Sequence, residues 1–204
     1  MEFSDNYYTL KVESKGLYKE KGSKFISYAY PVESEQEVED IISSLKKRYH
    51  DARHHCFAWK LGMDDNRFRI NDDGEPSGTA GKPILGQIRS FNLTNVLIIV
   101  IRYFGGIKLG TGGLIRAYKS AAEDALINGE IIEKFVQEVI TLSFKYEIMN
   151  SIMRIIKEEN LKITDQSFGM SCSIAVCVRY SDSERVKKRF KNIIGIELQV
   201  GDEL

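Results

Sequence analysis

Six consecutive branched apolar residues, Val96-Leu97-Ile98-Ile99-Val100-Ile101, constrain the fold of this chain more than any other feature. A strand with one wet face alternates apolar and polar side chains, so an unbroken run reads as a strand buried on both faces. The segments around it are mixed. Tyr7–Val12 and Lys24–Val32 read as strands, the second rich in Phe, Ile and Tyr. Ser34 followed by Glu37 forms a capping box, and Val38, Ile41, Ile42, Leu45 and Tyr49 recur behind it at helical spacing. Cys56–Leu61 and Arg67–Ile70 read as a hairpin around the polar turn Asp64-Asp65-Asn66. A helix is predicted over Pro83–Phe91. A second follows the Gly110–Gly113 loop from Leu114 to Leu126 and is closed by Asn128-Gly129.

From Glu133 the pattern changes to clean alternation. Ile140, Leu142, Phe144 and Tyr146 point one way, as do Ile174, Val176, Val178 and Tyr180, and then Ile196, Leu198 and Val200. Helical patterns at Ile148–Glu158 and Ser183–Ile194, with a strand at Leu161–Ser167, complete a βαββαβ order, the ferredoxin-like arrangement. Two α+β domains are therefore expected, residues 1–132 and 133–204.

Global charge identifies no partner, because 29 Lys and Arg balance 29 Asp and Glu. The three cysteines do not form a disulfide framework: Cys56 is distant, and Cys172 and Cys177 point to opposite faces of one strand. Reduced thiols, an N-terminal stretch unlike a secretory signal and no apolar run of about 20 residues predict a cytoplasmic location without membrane contact.

Local charge is more informative. From Pro76 to Ala122 there are six basic residues, Lys82, Arg89, Arg102, Lys108, Arg116 and Lys119, and no acidic residue in 47 positions. Half of the chain's 16 glycines lie there too. Glycine turns that feed helix starts expose backbone N–H groups at the positive end of the helix dipole. Gly78, Thr79, Gly81 and Lys82 form one such turn. Gly105, Gly106, Lys108, Gly110, Gly112, Gly113 and Arg116 form the other, with Arg102 just ahead of it. Together they make a candidate anion or nucleic-acid cradle. Neither turn is a known nucleotide fingerprint. Pro76 and Pro83 occupy the first-glycine and hydroxyl positions of a P-loop, and Ile115 takes the third glycine position of a dinucleotide motif.

Asp72, Asp73 and Glu75 form an acidic cluster beside this stretch. It is expected to be solvated or structural, docking onto the basic loop; a divalent-metal site or paired catalytic carboxylates is the sharper alternative. His50 and His54 have the spacing of a helical zinc pair, but the helix is expected to end between them, and Cys56 and His55 point apart. Arg185, Lys187, Lys188, Arg189 and Lys191 read as the solvated face of a helix and as a secondary phosphate contact.

The run from Asp72 to Leu85, DDGEPSGTAGKPIL, resembles one hallmark of the IMPACT/YigZ family, and the run from Arg102 to Tyr118, RYFGGIKLGTGGLIRAY, resembles the other. The resemblance spans essentially the whole chain, and its layout is similar to that of bacterial members. It implies an N-terminal domain with the fold of the second domain of ribosomal protein S5, and a ferredoxin-like tail similar to domain V of translocating elongation factors. Eukaryotic relatives modulate translational control by competing for a protein that activates a kinase of initiation factor 2. For bacterial members, nucleic-acid or ribosome binding is the implied role. Lys119 stands where the family has a small residue, often glycine, which sets it apart from Arg102 and Arg116.

The expected function is thus binding of RNA or the ribosome, with a role in translation regulation, through the glycine-rich basic face. A translation-control protein is a further possible partner. No catalytic set, metal or cofactor is expected. A phosphotransferase that holds a nucleotide at Gly110–Leu114, or a protein-interaction module, are the alternatives.

Overall fold

The computed structural model describes residues 5–203. The chain divides into two compact units, Tyr7–Glu133 and a second built from Lys134 onward together with residues 5 and 6.

The first unit contains β1 (Asn6–Leu10), β2 (Ser14–Glu20), β3 (Ser23–Pro31), α1 (Glu35–Arg48), β4 (His54–Lys60), β5 (Phe68–Asn71), α2 (Gly81–Ser90), β6 (Val96–Tyr103), α3 (Gly110–Ile127) and β7 (Ile131–Phe135). Five strands form a sheet in the order β2-β3-β6-β4-β5, and every neighbouring pair is antiparallel. Its centre is β6, the apolar run. Val96, Ile98 and Val100 enter the core beneath α2 and α3, while Leu97, Ile99 and Ile101 enter the core beneath α1. Continuous hydrophobicity is required because a helix layer covers each face. β1 and β7 pair separately in a two-stranded ribbon.

α1 starts as its capping sequence predicts on one side. Ser34 Oγ accepts from the Glu37 amide at 3.2 Å, but the Glu37 carboxylate accepts from the Glu33 amide rather than from Ser34. α3 can lie close on the sheet because the face it presents is mostly alanine: Ala117, Ala121, Ala122 and Ala125 are fully buried. Ser27 and Ser14 donate to the Ala121 and Ala125 carbonyls at 2.6 and 2.7 Å, which pins the helix along the sheet. Both glycine-turn helices start earlier than predicted, at Gly81 and Gly110, so Gly110–Gly113 form the first turn of α3 rather than a preceding loop.

The second unit contains β8 (Gln137–Phe144), α4 (Met149–Glu158), β9 (Lys162–Ser167), β10 (Cys172–Arg179), α5 (Tyr180–Lys191) and β11 (Ile196–Glu203). Its antiparallel sheet has the order β11-β8-β10-β9, the ferredoxin-like topology. Ile140, Leu142, Phe144, Ile174, Val176 and Val178 form the buried face. Tyr146 and Tyr180 extend the alternation by one step in sequence but lie past the strand ends, in a 3-10 turn and at the start of α5. Asp5 belongs to this unit, although the pattern break placed it with the first. Its buried carboxylate accepts from Arg179 Nε and Nη2 at 2.8 and 2.7 Å and from the Ser181 amide at 3.0 Å. No helix among the described residues is long and apolar enough to cross a membrane.

Candidate functional site

The antiparallel register brings one end of the first unit's sheet together from distant segments. Lys24 pairs with Tyr103, His54 with Arg102 and Phe57 with Asn71. The end of β2, the start of β3, the end of β6, the start of β4 and the end of β5 therefore share an edge, and both α2 and α3 begin there.

The start of α2 carries an internal anion. The Asp72 carboxylate accepts from the amides of Gly78 at 2.8 Å, Ala80 at 3.0 Å and Gly81 at 2.8 Å. Burial would raise this carboxyl, but the Gly78, Gly81 and Ala80 amides outweigh that effect and hold it below its usual value. The amides that the sequence offered to an external ligand are thus donated to Asp72, and Thr79 turns its hydroxyl inward to the Pro76 carbonyl. Lys82 stays exposed on the first turn.

Asp73 and Glu75 complete an acidic loop that is likewise tied inward. Asp73 Oδ2 accepts from the His55 amide at 2.6 Å, and its carbonyl lies 2.8 Å from His54 Nδ1. Burial lowers the His55 imidazole against the pull of Asp73. Glu75 Oε1 accepts from Arg102 Nη1 at 2.6 Å and from the Tyr118 hydroxyl at 2.8 Å, with both charged side chains more than nine-tenths buried. Cys56 contacts the same phenol, its Sγ 3.3 Å from the Tyr118 hydroxyl. Burial pushes the Cys56 thiol well up, so it is not a thiolate at neutral pH. Burial, followed by Cys56 and Glu75, pushes the Tyr118 phenol up in the same way and keeps it a donor. Arg102, read as an anion ligand from the sequence, is instead the buried counter-ion of Glu75, its guanidinium 5.4 and 5.6 Å from the Phe25 and Phe104 ring centroids.

The start of α3 differs in what its amides meet. Among the described residues no side chain caps it, its first turn like that of α2 carries no acidic residue, and Gly110 enters it at φ +70, a backbone region that L side chains rarely adopt. Gly106, Lys108, Gly110, Gly112 and Arg116 are exposed, whereas Gly113 is buried against Leu109. Gly105 is required by close approach: a Cβ there would sit 1.9 Å from the Gly22 carbonyl carbon. Its amide bonds Ser23 Oγ at 3.1 Å, which locks the loop to the β2–β3 hairpin. Lys21 and Lys24, both exposed, flank that contact. These two lysines were invisible to a reading confined to Pro76–Ala122, because 82 positions separate Ser23 from Gly105. Arg116 has one weak acidic neighbour, Glu20 Oε1 at 4.0 Å. Lys119 is exposed on the same helix, and Arg89 lies at the far end of α2, over the Phe68 ring.

The basic run of the second unit is largely neutralised. Arg185 pairs with Glu159 and Asp182, Lys187 with Glu138 and Glu184, and Arg189 with Glu158 and Glu159. Only Lys188 and Lys191 of the five have no ion pair among the described residues.

Comparison with known proteins bears on this architecture. The model of the Impact N-terminal domain matches residues 21–126, the stretch that contains both glycine turns and the acidic loop. An IMPACT family member from Haemophilus influenzae is 36% identical over 191 residues, covering 89% of this chain and 92% of its own. YvyE of Bacillus subtilis, also an IMPACT family member, is 35% identical over 160 residues, 78% of this chain and 74% of its own. A crystal structure described as a hypothetical protein superposes with a TM-score of 0.76 at 26% identity, covering 98% of this chain and 99% of its own.

Proposed function

The chain belongs to the IMPACT family, and from that premise we propose that it acts in translational control by binding RNA or the ribosome at the open start of α3. One observation carries this reading. Of the two glycine-turn helix starts on the shared edge, that of α3 is the one without an internal anion among the described residues, and exposed cations flank it. An 18-residue helix places a partial positive charge at its first turn, where backbone amides suit a phosphate. Lys108, Arg116, Lys21 and Lys24 add full charges that can pair with successive phosphates of a chain.

The experiment is a titration of a labelled oligoribonucleotide by fluorescence anisotropy at several salt concentrations. Three or four phosphate contacts give a slope of log affinity against log salt of about −2 to −3 for a single strand. Arg116→Glu should weaken binding to every sequence tested, because a phosphate contact positions without reading bases. It should also leave cooperative unfolding intact. Lys188→Glu in the second unit should do much less. Absence of binding at low salt would overturn the proposal.

A further inference from the structure

We infer that the strand bound at the start of α3 is single-stranded, with an unstacked base seated on Phe104. The inference rests on the phosphate-binding reading above and names the class of nucleic acid that reading takes.

Three large apolar side chains stand out from the same loop and helix start: Phe104 is 54% exposed, Ile107 56% and Ile115 42%. Water solvates such groups poorly, and a cluster of them at a charged rim marks a surface that is covered in use. Their setting specifies the partner. Duplex nucleic acid presents phosphates and sugars outward and keeps its base faces stacked, so it offers nothing apolar to a protruding ring. A single strand offers both phosphates and flat base faces. The edge carries both complements, cations at Lys21, Lys24, Lys108 and Arg116 and an aromatic ring among them.

Phe104 is also held in place before any ligand arrives. The Arg102 guanidinium lies 5.6 Å from its ring centroid, and that guanidinium is fixed by Glu75 at 2.6 Å. The next residue, Gly105, is anchored through its amide to Ser23 Oγ at 3.1 Å. The ring is thus fixed at its back and open at its front, which lowers the ordering cost of stacking a base on it. The buried Glu75–Arg102 pair acquires a role here, as the support that positions the ring.

The test compares an unstructured pyrimidine oligoribonucleotide with a blunt RNA duplex of equal length. The wild type should bind the single strand more tightly. Phe104→Ala should weaken single-strand binding by roughly five- to a hundredfold, the range for loss of one stacked base, and leave duplex binding and the salt slope unchanged. Phe104→Tyr should retain the affinity and Phe104→Leu should not, which separates stacking from bulk; thermal unfolding of each variant checks the fold. If both RNAs bind equally and Phe104→Ala changes neither, the contact is to phosphates alone and this inference fails while the reading beneath it stands. If neither RNA binds, the phosphate-binding reading fails and takes this inference with it.

Discussion

α2 begins at Gly81 with the Asp72 carboxylate seated on three amides of its leading turn, whereas α3 begins at Gly110 with no side chain among the described residues on its own. The two starts share one edge of one sheet and the same glycine-rich chemistry, yet one is satisfied from within and the other faces outward. The difference shows that a glycine turn ahead of a helix creates an anion site only in potential. Whether it becomes one depends on where the nearest carboxylate folds. At α2 the acid lies a few residues upstream and returns to the helix; at α3 the acids that reach the helix meet side chains further along it, Glu20 of β2 at 4.0 Å from Arg116 and Glu75 accepting from Tyr118 at 2.8 Å.

The largest effect is expected where the acidic loop joins α3. Glu75→Ala leaves Arg102 buried without its counter-ion and should cost about 3–5 kcal/mol in urea unfolding. Replacing both members, Glu75→Met with Arg102→Met, should cost far less, because no uncompensated charge then stays inside. A double variant as unstable as the single one would show that packing, not the ion pair, holds the loop.

A smaller loss is expected at the satisfied start. Asp72→Asn weakens three charge-assisted contacts to amides and should cost about 1–2 kcal/mol. Its dependence on pH follows from the sign of the shift. The folded carboxyl is held below its ordinary value, so it stabilises the fold above an unfolded pKa of about 4, and this contribution is lost as pH falls through the lower folded value. Thermal midpoints of the wild type and Asp72→Asn should differ at pH 7 and begin to draw together as pH falls below about 4. A gap that persists in acid would break the assignment.

The smallest effect tests the open start directly. Gly112 has no atom within 4 Å of where its Cβ would stand, so Gly112→Asp is sterically free to supply the missing acid. It should raise stability by about 0.5–1 kcal/mol through the helix dipole and the loss of a glycine. It should also weaken RNA binding, so stability and function move in opposite directions. Affinity that is unchanged would remove the start of α3 from the interface.

Much of this was readable from the chain alone. The unbroken run of six apolar residues announced β6, alternation announced β8 and β10, and Ser34 with Glu37 announced α1, because each signal lies within one element or one turn. The strand β2 escaped, since Ser14–Glu20 does not alternate, its adjacent apolar pair Leu17-Tyr18 standing between polar pairs at either end, and its pairing with β3 across the hairpin lies outside any local pattern. The Asp72 cap was within reach in principle, six to nine residues from its amides, but required knowing that the Asp73-Gly74 pair turns the chain back, both at positive φ. No local pattern could have paired Glu75 with Arg102 and Tyr118, 27 and 43 residues on, or set Lys21 and Lys24 beside the glycine loop.

By itself, then, the sequence determined most of the helices and strands, where the glycine turns fall and where positive charge accumulates. Only the tertiary structure decided which cations stay free, turning Arg102 inward and leaving Lys108 and Arg116 outside, and which helix start remains open. The physical reason is range. Periodicity and capping act over three to four residues along the backbone, whereas the pairing of a buried charge and the sharing of a sheet edge depend on strands that meet only after the chain has folded.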